Sequence, residues 1–375
     1  MAKRENSMAF QPGAIGSVKL KNRLVRSATF EHMATEDGRV TDIQVELYCT
    51  LAEGGVGLII TGHATPHTGW FAMPHMTRIT DDSYIPMIQR IARAVHGVGN
   101  DCKVMLQLNQ LGRQCPQPVA PSAVYDTFLQ QTPREMTIEE IDEIIESFAE
   151  AIRRARDAEF DGVQLHAAHG WLLSSFLSPH TNRRKDQYGG STRRRTRIMK
   201  EIYNRALRKA GSDFPIMVKM NTDDCFPGGI DQEEAVRIAE ELAMIGYAAI
   251  ETSGGTWEAL TRSEEELGWK PVLIPEARIG IKARGQEAYF WETARNMKKK
   301  IDIPIILVGG IKSIDKIEEI LKEGSVDFCA MARPLIRQPD LPNRWLHGTG
   351  GDTAECKSCN SCLPVGPLKC NGKDI

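Results

Sequence analysis

The sequence predicts an α/β protein, a closed (β/α)8 TIM barrel over residues 1–348 with a short cysteine-rich tail over 349–375. Three observations carry that expectation. Eight short β-branched runs alternate with longer amphipathic segments. Polar and glycine residues gather where those runs end, as they do on the catalytic face of a barrel. No glycine-rich dinucleotide fingerprint follows the first run, as a doubly wound sheet would require. At 375 residues the chain is long for an average domain but ordinary for one barrel.

The runs, in order, are NRLVRSAT from Asn22, VGLIITG from Val56, CKVMLQL from Cys102, GVQLHAA from Gly162, PIMVKMN from Pro215, YAAIETSGG from Tyr247, IPIILVGG from Ile303 and VDFCAMAR from Val326. Between them, segments such as IEEIDEIIESFAEAIRRARDAEF and DQEEAVRIAEELAMIG repeat apolar residues three and four apart, the spacing of a buried helix face. Thr137 and Asp231 precede acidic first turns and read as N-caps. At the ends of the strands stand Gln107, then His166 and His169, Lys219, Ser253 to Gly255, Gly309 and Gly310, and Arg333.

Charge and hydropathy exclude some partners. The formal net charge is -2, with acids and bases interspersed, so there is no basic field for nucleic acid. No stretch nears the roughly 18 apolar residues of a membrane span, and the N-terminus carries no apolar run. A small-molecule substrate and a cytoplasmic location are expected; a homo-oligomer is compatible with the composition.

Two clusters point to chemistry in the barrel. The loops closing LVGG at Gly310 and CAMARP at Pro334 follow strands seven and eight, where barrels commonly cradle a phosphate: glycine lets backbone N–H groups approach the anion and Arg333 adds a charge. His166 and His169 lie three apart as an apolar run ends. Two imidazoles so placed can donate to one carbonyl or nitro oxygen and polarise it. A metal would need a third ligand, and none is evident nearby; satisfied structural histidines are the plainer alternative.

Of nine cysteines, Cys49, Cys102, Cys115, Cys225 and Cys329 are scattered and read as small buried hydrophobes rather than disulfide partners. Cys356, Cys359, Cys362 and Cys370 crowd into the last twenty residues as Cys-x2-Cys-x2-Cys-x7-Cys. Thiolates so close suit either a cubane iron–sulfur cluster or tetrahedral zinc. A turn from Pro364 to Pro367 is expected to fold Cys370 back toward the other three.

The segment FDGVQLHAAHGWLLSSFLSP followed by NRRKDQYGGS, with LKNRLVRSA upstream and ILVGGI and MARPLIRQPDL downstream, resembles the old yellow enzyme family of NAD(P)H:flavin oxidoreductases. The likeness runs in order from Phe10 to Leu341. It is nearest to the branch holding dienoyl-CoA reductase, enoate reductase and trimethylamine dehydrogenase, whose barrel precedes an iron–sulfur cysteine cluster. The resemblance implies FMN as cofactor and NAD(P)H as electron donor. It implies that Ser27, Ala28 and Thr29 lie along the flavin, Gly62 beneath its ring and Gln107 at its pyrimidine edge. Lys219, where arginine is usual, would face flavin N1 and O2, supplying charge without the rigid fork. Gly309, Gly310, Ala332 and Arg333 would hold the phosphate, and His166 and His169 the substrate oxygen. The expected reaction is reduction of an activated C=C of enone or enoate type.

Two positions depart from the family. Trp171 replaces the usual proton-donating tyrosine and has no titratable hydroxyl; His63 and His67, expected on the loop after strand two, are candidate substitutes. Phe30 replaces a Thr, Cys or His near flavin O4. The resemblance, through related tails carrying a motif like CKSCN, favours [4Fe–4S] at Cys356, Cys359, Cys362 and Cys370 over zinc or free cysteines, although those tails have a last spacing longer than seven. Fused members continue into further flavin- and nucleotide-binding domains. Here electrons are expected to reach the barrel directly, or through the cysteine cluster from a separate electron-transfer protein. An outward-running dehydrogenase, or a flavin-binding subunit without redox catalysis, are the alternatives.

Overall fold

The structure, a computed structural model, describes residues 4–67, 69, 73–363 and 366–372. Among these residues eight parallel strands close into a barrel: β1 (Leu24–Arg26), β2 (Leu58–Thr65), β3 (Lys103–Leu108), β4 (Gly162–Ala167), β5 (Ile216–Asn221), β6 (Ile250–Ser253), β7 (Ile305–Leu307) and β8 (Phe328–Met331). Closure is made by β1, which pairs with β8 on one side and β2 on the other. The outer ring is α1 (Asp42–Glu53), α2 (Ile85–Gly97), α3 (Ile138–Asp157), α4 (Arg197–Ala210), α5 (Gln232–Ile245), α6 (Trp291–Lys298), α7 (Ile314–Glu323) and α8 (Leu341–His347).

Local chemistry starts the helices where the sequence predicts. The Thr137 hydroxyl accepts from the Glu140 N–H while the Glu140 carboxylate accepts from the Thr137 N–H, a capping box on α3. The Asp231 carboxylate accepts from the Glu234 N–H at the start of α5.

A hairpin of Gly13–Ile15 and Val18–Leu20 closes the N-terminal end of the barrel. Its Ile15 and Leu20 pack on Val25, Leu58, Met105, Met217, Ile306 and Phe328, an apolar plug inside the sheet. Inside the barrel the polar side chains of the described residues therefore gather above this plug, toward the C-terminal ends of the strands.

Two expectations need correction. β1 is shorter than the run from Asn22, whose side chain instead bonds the Leu24 N–H and the Gly55 carbonyl and so fixes the entry to the strand. β2 runs past Gly62 to Thr65 through a register shift between Ile60 and His63, so His63 lies in the strand and not on the following loop. The short tail is tied to the barrel: the Ala354 N–H donates to the Lys312 carbonyl (2.7 Å), the Gly280 N–H to the Ser358 carbonyl (3.0 Å) and the Leu368 N–H to the Glu31 carbonyl (2.9 Å). Those bonds fold it over the C-terminal face. Pro364, the start of the expected turn, lies outside the described residues.

Candidate active site

One cavity of about 410 Å³ opens at the C-terminal ends of the strands, within the range of small-molecule sites. Ser27, Ala28, Thr29, Gln107, Lys219, Gly309, Gly310, Ala332 and Arg333 line it, and so do His166, His169 and Trp171. Gly62 does not. Its N–H donates to Glu31 Oε1 (2.8 Å) and Tyr48 Oη (2.9 Å), and a Cβ there would sit 1.9 Å from Glu31 Oε2. Glycine at 62 is thus required by a buried carboxylate outside the cavity lining.

The cavity floor is a charge-balanced network. Glu251 Oε1 accepts from Lys219 Nζ (2.9 Å) and Ser27 Oγ (2.5 Å), while Glu251 Oε2 accepts from Gln164 Nε2 (2.7 Å). Gln164 Oε1 accepts in turn from Gln107 Nε2 (2.7 Å). Lys219 and Glu251 are register partners across β5 and β6, as are Gln107 and Gln164 across β3 and β4, so the parallel sheet brings each pair side by side. Glu251 and Gln164 were not singled out in the sequence. The signal was there: each lies two residues before a strand-end polar residue, Ser253 or His166, and therefore on the same face.

At the other end Gly309 and Gly310 have φ of 130° and 71°, and a Cβ on Gly310 would lie 2.8 Å from Tyr289 Cε1. Only glycine keeps this backbone open to a ligand. Arg333 Nη1 donates to the Arg278 carbonyl (2.9 Å) and Asn360 Oδ1 (2.7 Å), which holds the guanidinium against the cavity.

His166 and His169 stand with ring centroids 4.9 Å apart, nearly perpendicular. Burial, reinforced by nearby positive groups, pushes both imidazoles well below their ordinary pKa, so they are neutral at pH 7. His166 Nδ1 accepts from the Ala168 N–H (3.3 Å), which places its own proton on Nε2. His169 adopts φ of 61°, a left-handed backbone uncommon outside glycine. Asn221 Oδ1 holds its N–H (3.1 Å) and Gln114 Nε2 its carbonyl (2.7 Å). His169 Nε2 lies 2.7 Å from Ser253 Oγ.

Trp171 lines the cavity beside His63 (ring centroids 5.7 Å) and His166 (6.2 Å). Phe30 packs edge-on against His63. His63 itself accepts from Asn109 Nδ2 (2.8 Å) on Nδ1, and burial pushes its pKa down to about 3, so it holds no acidic proton at neutral pH. His67 is outside the cavity lining, with Nε2 2.8 Å from Glu143 Oε1. Neither histidine fits the proton-donor role expected of it. A carboxyl not anticipated from the sequence does reach the cavity: Glu276 Oε1 lies 3.8 Å from His169 Nδ1. It comes from a loop whose sequence has no periodic signal.

Cys356, Cys359, Cys362 and Cys370 line one small cavity with Arg333 and Arg337, and Cys362 also lines the main one. Arg337 Nη1 approaches Cys370 Sγ at 3.7 Å. As the side chains stand, no group of three or more His, Cys, Asp or Glu among the described residues is arranged to hold a metal ion. No helix among them is long and apolar enough to cross a membrane.

Fold and cavity together define a (β/α)8 barrel with a small-molecule site built on its strand ends. The chain belongs to the NADH:flavin oxidoreductase / NADH oxidase family, matched over residues 8–350, which bears out the old yellow enzyme resemblance. It is 37% identical over 359 residues to an NADH oxidase of Thermoanaerobacter brockii, covering 94% of this chain and 52% of that one. It is 33% identical over 340 residues to an NADPH dehydrogenase of a Geobacillus species, covering 90% and 93%. A solved 2-naphthoyl-CoA reductase in complex with 2-naphthoyl-CoA superposes with a TM-score of 0.85 at 26% identity, covering 95% of this chain and 54% of that one. The chain thus spans about half the length of the first and third of these, and nearly all of the second.

Proposed function

We propose that the protein is an FMN-dependent reductase that uses NAD(P)H to reduce a C=C activated by a carbonyl. The observation carrying this reading is that one cavity collects both the residues suited to a flavin mononucleotide and the histidine pair suited to a substrate oxygen. The donor set fits the cofactor. Gly309, Gly310 and Arg333 offer bare backbone and a fixed guanidinium to a terminal phosphate; Gln107 and Lys219 offer an amide and a cation to a polar ring edge. When bound, FMN supplies hydride exchange between a nicotinamide and an activated carbon.

The protein's own part is binding and polarisation. His166, with its proton on Nε2, and His169, released from Ser253, donate to the carbonyl oxygen of the substrate and draw charge from the β-carbon. Burial keeps both neutral at pH 7, so they act as hydrogen-bond donors and not as acids. Trp171 and Phe30 give the pocket an aromatic wall that excludes water.

The four tail thiols suit a [4Fe–4S] cluster by donor type, provided that they close together from their present positions. Such a cluster would supply one-electron transfer, and Cys362 would hold it next to the main cavity. That juxtaposition favours a second reading, a dehydrogenase passing electrons outward to a partner protein, because such a reaction needs no proton donor to carbon.

Anaerobic titration with NADH tests the proposal. The bound chromophore should bleach and an enone should restore it. Chromatography of the released cofactor should return FMN; FAD, or no flavin after reconstitution, would overturn the assignment. Recolouring by a one-electron acceptor alone would favour the second reading. Iron and labile sulfide analysis after anaerobic reconstitution decides between a cluster, zinc and free thiols.

A further inference from the structure

The reduction assigned to this site needs a proton at carbon as well as a hydride, and Trp171 cannot supply it. The titratable groups around the cavity narrow the choice. His63, His166 and His169 are held neutral by burial. The Lys219 ammonium is committed to Glu251 and Ser27. Lys312 Nζ donates to the carbonyls of Ile281 and Cys356, both at 2.9 Å. The Tyr289 hydroxyl donates to the Glu276 carbonyl at 2.9 Å, and Arg278 lies over its ring.

His32 is also lowered by burial and Cys362 belongs with the tail thiols, which leaves the Glu276 carboxyl. Three consecutive carbonyls of its segment are tied down, Glu276 by Tyr289, Ala277 by Asn360 Nδ2 (2.9 Å) and Arg278 by Arg333 (2.9 Å). The backbone of the segment is thereby fixed, and the Glu276 carboxyl lies 3.8 Å from His169 Nδ1, with 29% of the side-chain surface accessible. An α-carbon is two bonds from the carbonyl oxygen that His166 and His169 would hold, so a carboxyl against His169 is within reach of it.

We propose that Glu276 is the acid that protonates the α-carbon in place of the missing tyrosine. This rests on the reductase reading. The hydride derived from NAD(P)H adds to the β-carbon with its electron pair, the C=C π bond breaks, and the α-carbon takes the proton from the Glu276 carboxyl. The carboxylate left behind is reprotonated from solvent. Desolvation raises the Glu276 pKa to about 7 despite the opposing charges of Lys219 and Arg333, so the protonated form is available near neutrality. His169, Lys219, Arg333 and Tyr289 are the titratable or charged groups facing it.

Stopped-flow kinetics with NADH and 2-cyclohexenone as probes, on the parent, Glu276→Gln and Glu276→Asp, test the proposal. Glu276→Gln should slow the oxidative half-reaction at neutral pH by about 10² or more, the usual contribution of a positioned acid, and leave the reductive half-reaction within a few-fold. Glu276→Asp should recover part of the loss. Trp171→Tyr placed on the Glu276→Gln background should recover part as well, which a structural role for Glu276 would not allow. The parent's oxidative rate should fall as pH rises through about 7. Independently of turnover, the difference between the infrared titrations of the parent and Glu276→Gln should contain one protonated-carboxyl band titrating near 7, beside the band that Glu31 leaves in both, with or without flavin. A Glu276→Gln variant that reduces the enone as fast as the parent overturns the role of Glu276 alone. A parent that NADH reduces but no enone reoxidises overturns the reductase reading and this proposal together.

Discussion

On the floor of the cavity, Gln107, Gln164, Lys219 and Glu251 come from four consecutive strands and meet as neighbours across the sheet. On its roof, Glu276, Asn360 and Cys362 come from a loop and the tail and Arg333 from the helical turn after β8, and bonds spanning 13 to 88 residues tie Glu276, Arg333 and Asn360. The floor balances a buried cation against a buried anion. The roof rests on hydrogen bonds between side chains and loop carbonyls. A floor of this kind is matched whether or not a ligand is present, whereas the roof can change its residues without disturbing the barrel. The difference teaches where variation is cheap: a roof residue such as Glu276 could take over a proton-donor role that Trp171 cannot fill, but the charges beneath must change in pairs.

The largest test of that contrast is Glu251→Leu. It leaves the Lys219 ammonium buried without its carboxylate, and the loss of one partner should cost about 3–5 kcal/mol in denaturant unfolding. Lys219→Met on the same chain should recover most of that cost. A single substitution costing less than about 1 kcal/mol would show that the pair does not hold the floor.

His166→Ala and His169→Ala should each weaken phenol binding, followed by flavin absorbance, by about 1–3 kcal/mol. Flavin content should stay unchanged, since neither ring belongs to the floor. Equal titrations of parent and variants would reduce the pair to a structural role.

Asn360→Ala removes the acceptor of Arg333 and the donor to Ala277 and Val272. As a roof bond it should cost only about 1 kcal/mol of stability while loosening cofactor retention on dilution. A cost matching Glu251→Leu would erase the contrast.

The smallest effects concern pH. The neutral, depressed histidines His63, His166 and His169 stabilise the fold above their unfolded pKa of about 6.5, and that contribution is lost as the pH falls toward their folded values, about 3 for His63. Glu31 and Glu276, both raised to about 7 by burial, act oppositely. Their contribution is full below the unfolded carboxylate pKa and is lost as the pH rises through 7. Melting temperature should therefore decline on both sides of a weakly acidic optimum. His63→Phe should flatten the acid limb and Glu276→Gln the alkaline one.

The amino-acid sequence by itself determined the eight strands, the N-caps of α3 and α5, and the gathering of Gln107, His166, His169, Lys219 and Arg333 on one face. Each follows from periodicity or capping within a few neighbouring residues, which the chain carries wherever it folds. Tertiary structure alone decided that Glu251 would neutralise Lys219, that Gly62 would serve Glu31 outside the cavity, and that His67 would turn to Glu143. It also decided that Glu276 would meet His169 and that Cys362 would line two cavities. Those outcomes depend on cross-strand register and on which carboxyl loses its water, and both arise only when segments distant in sequence pack together.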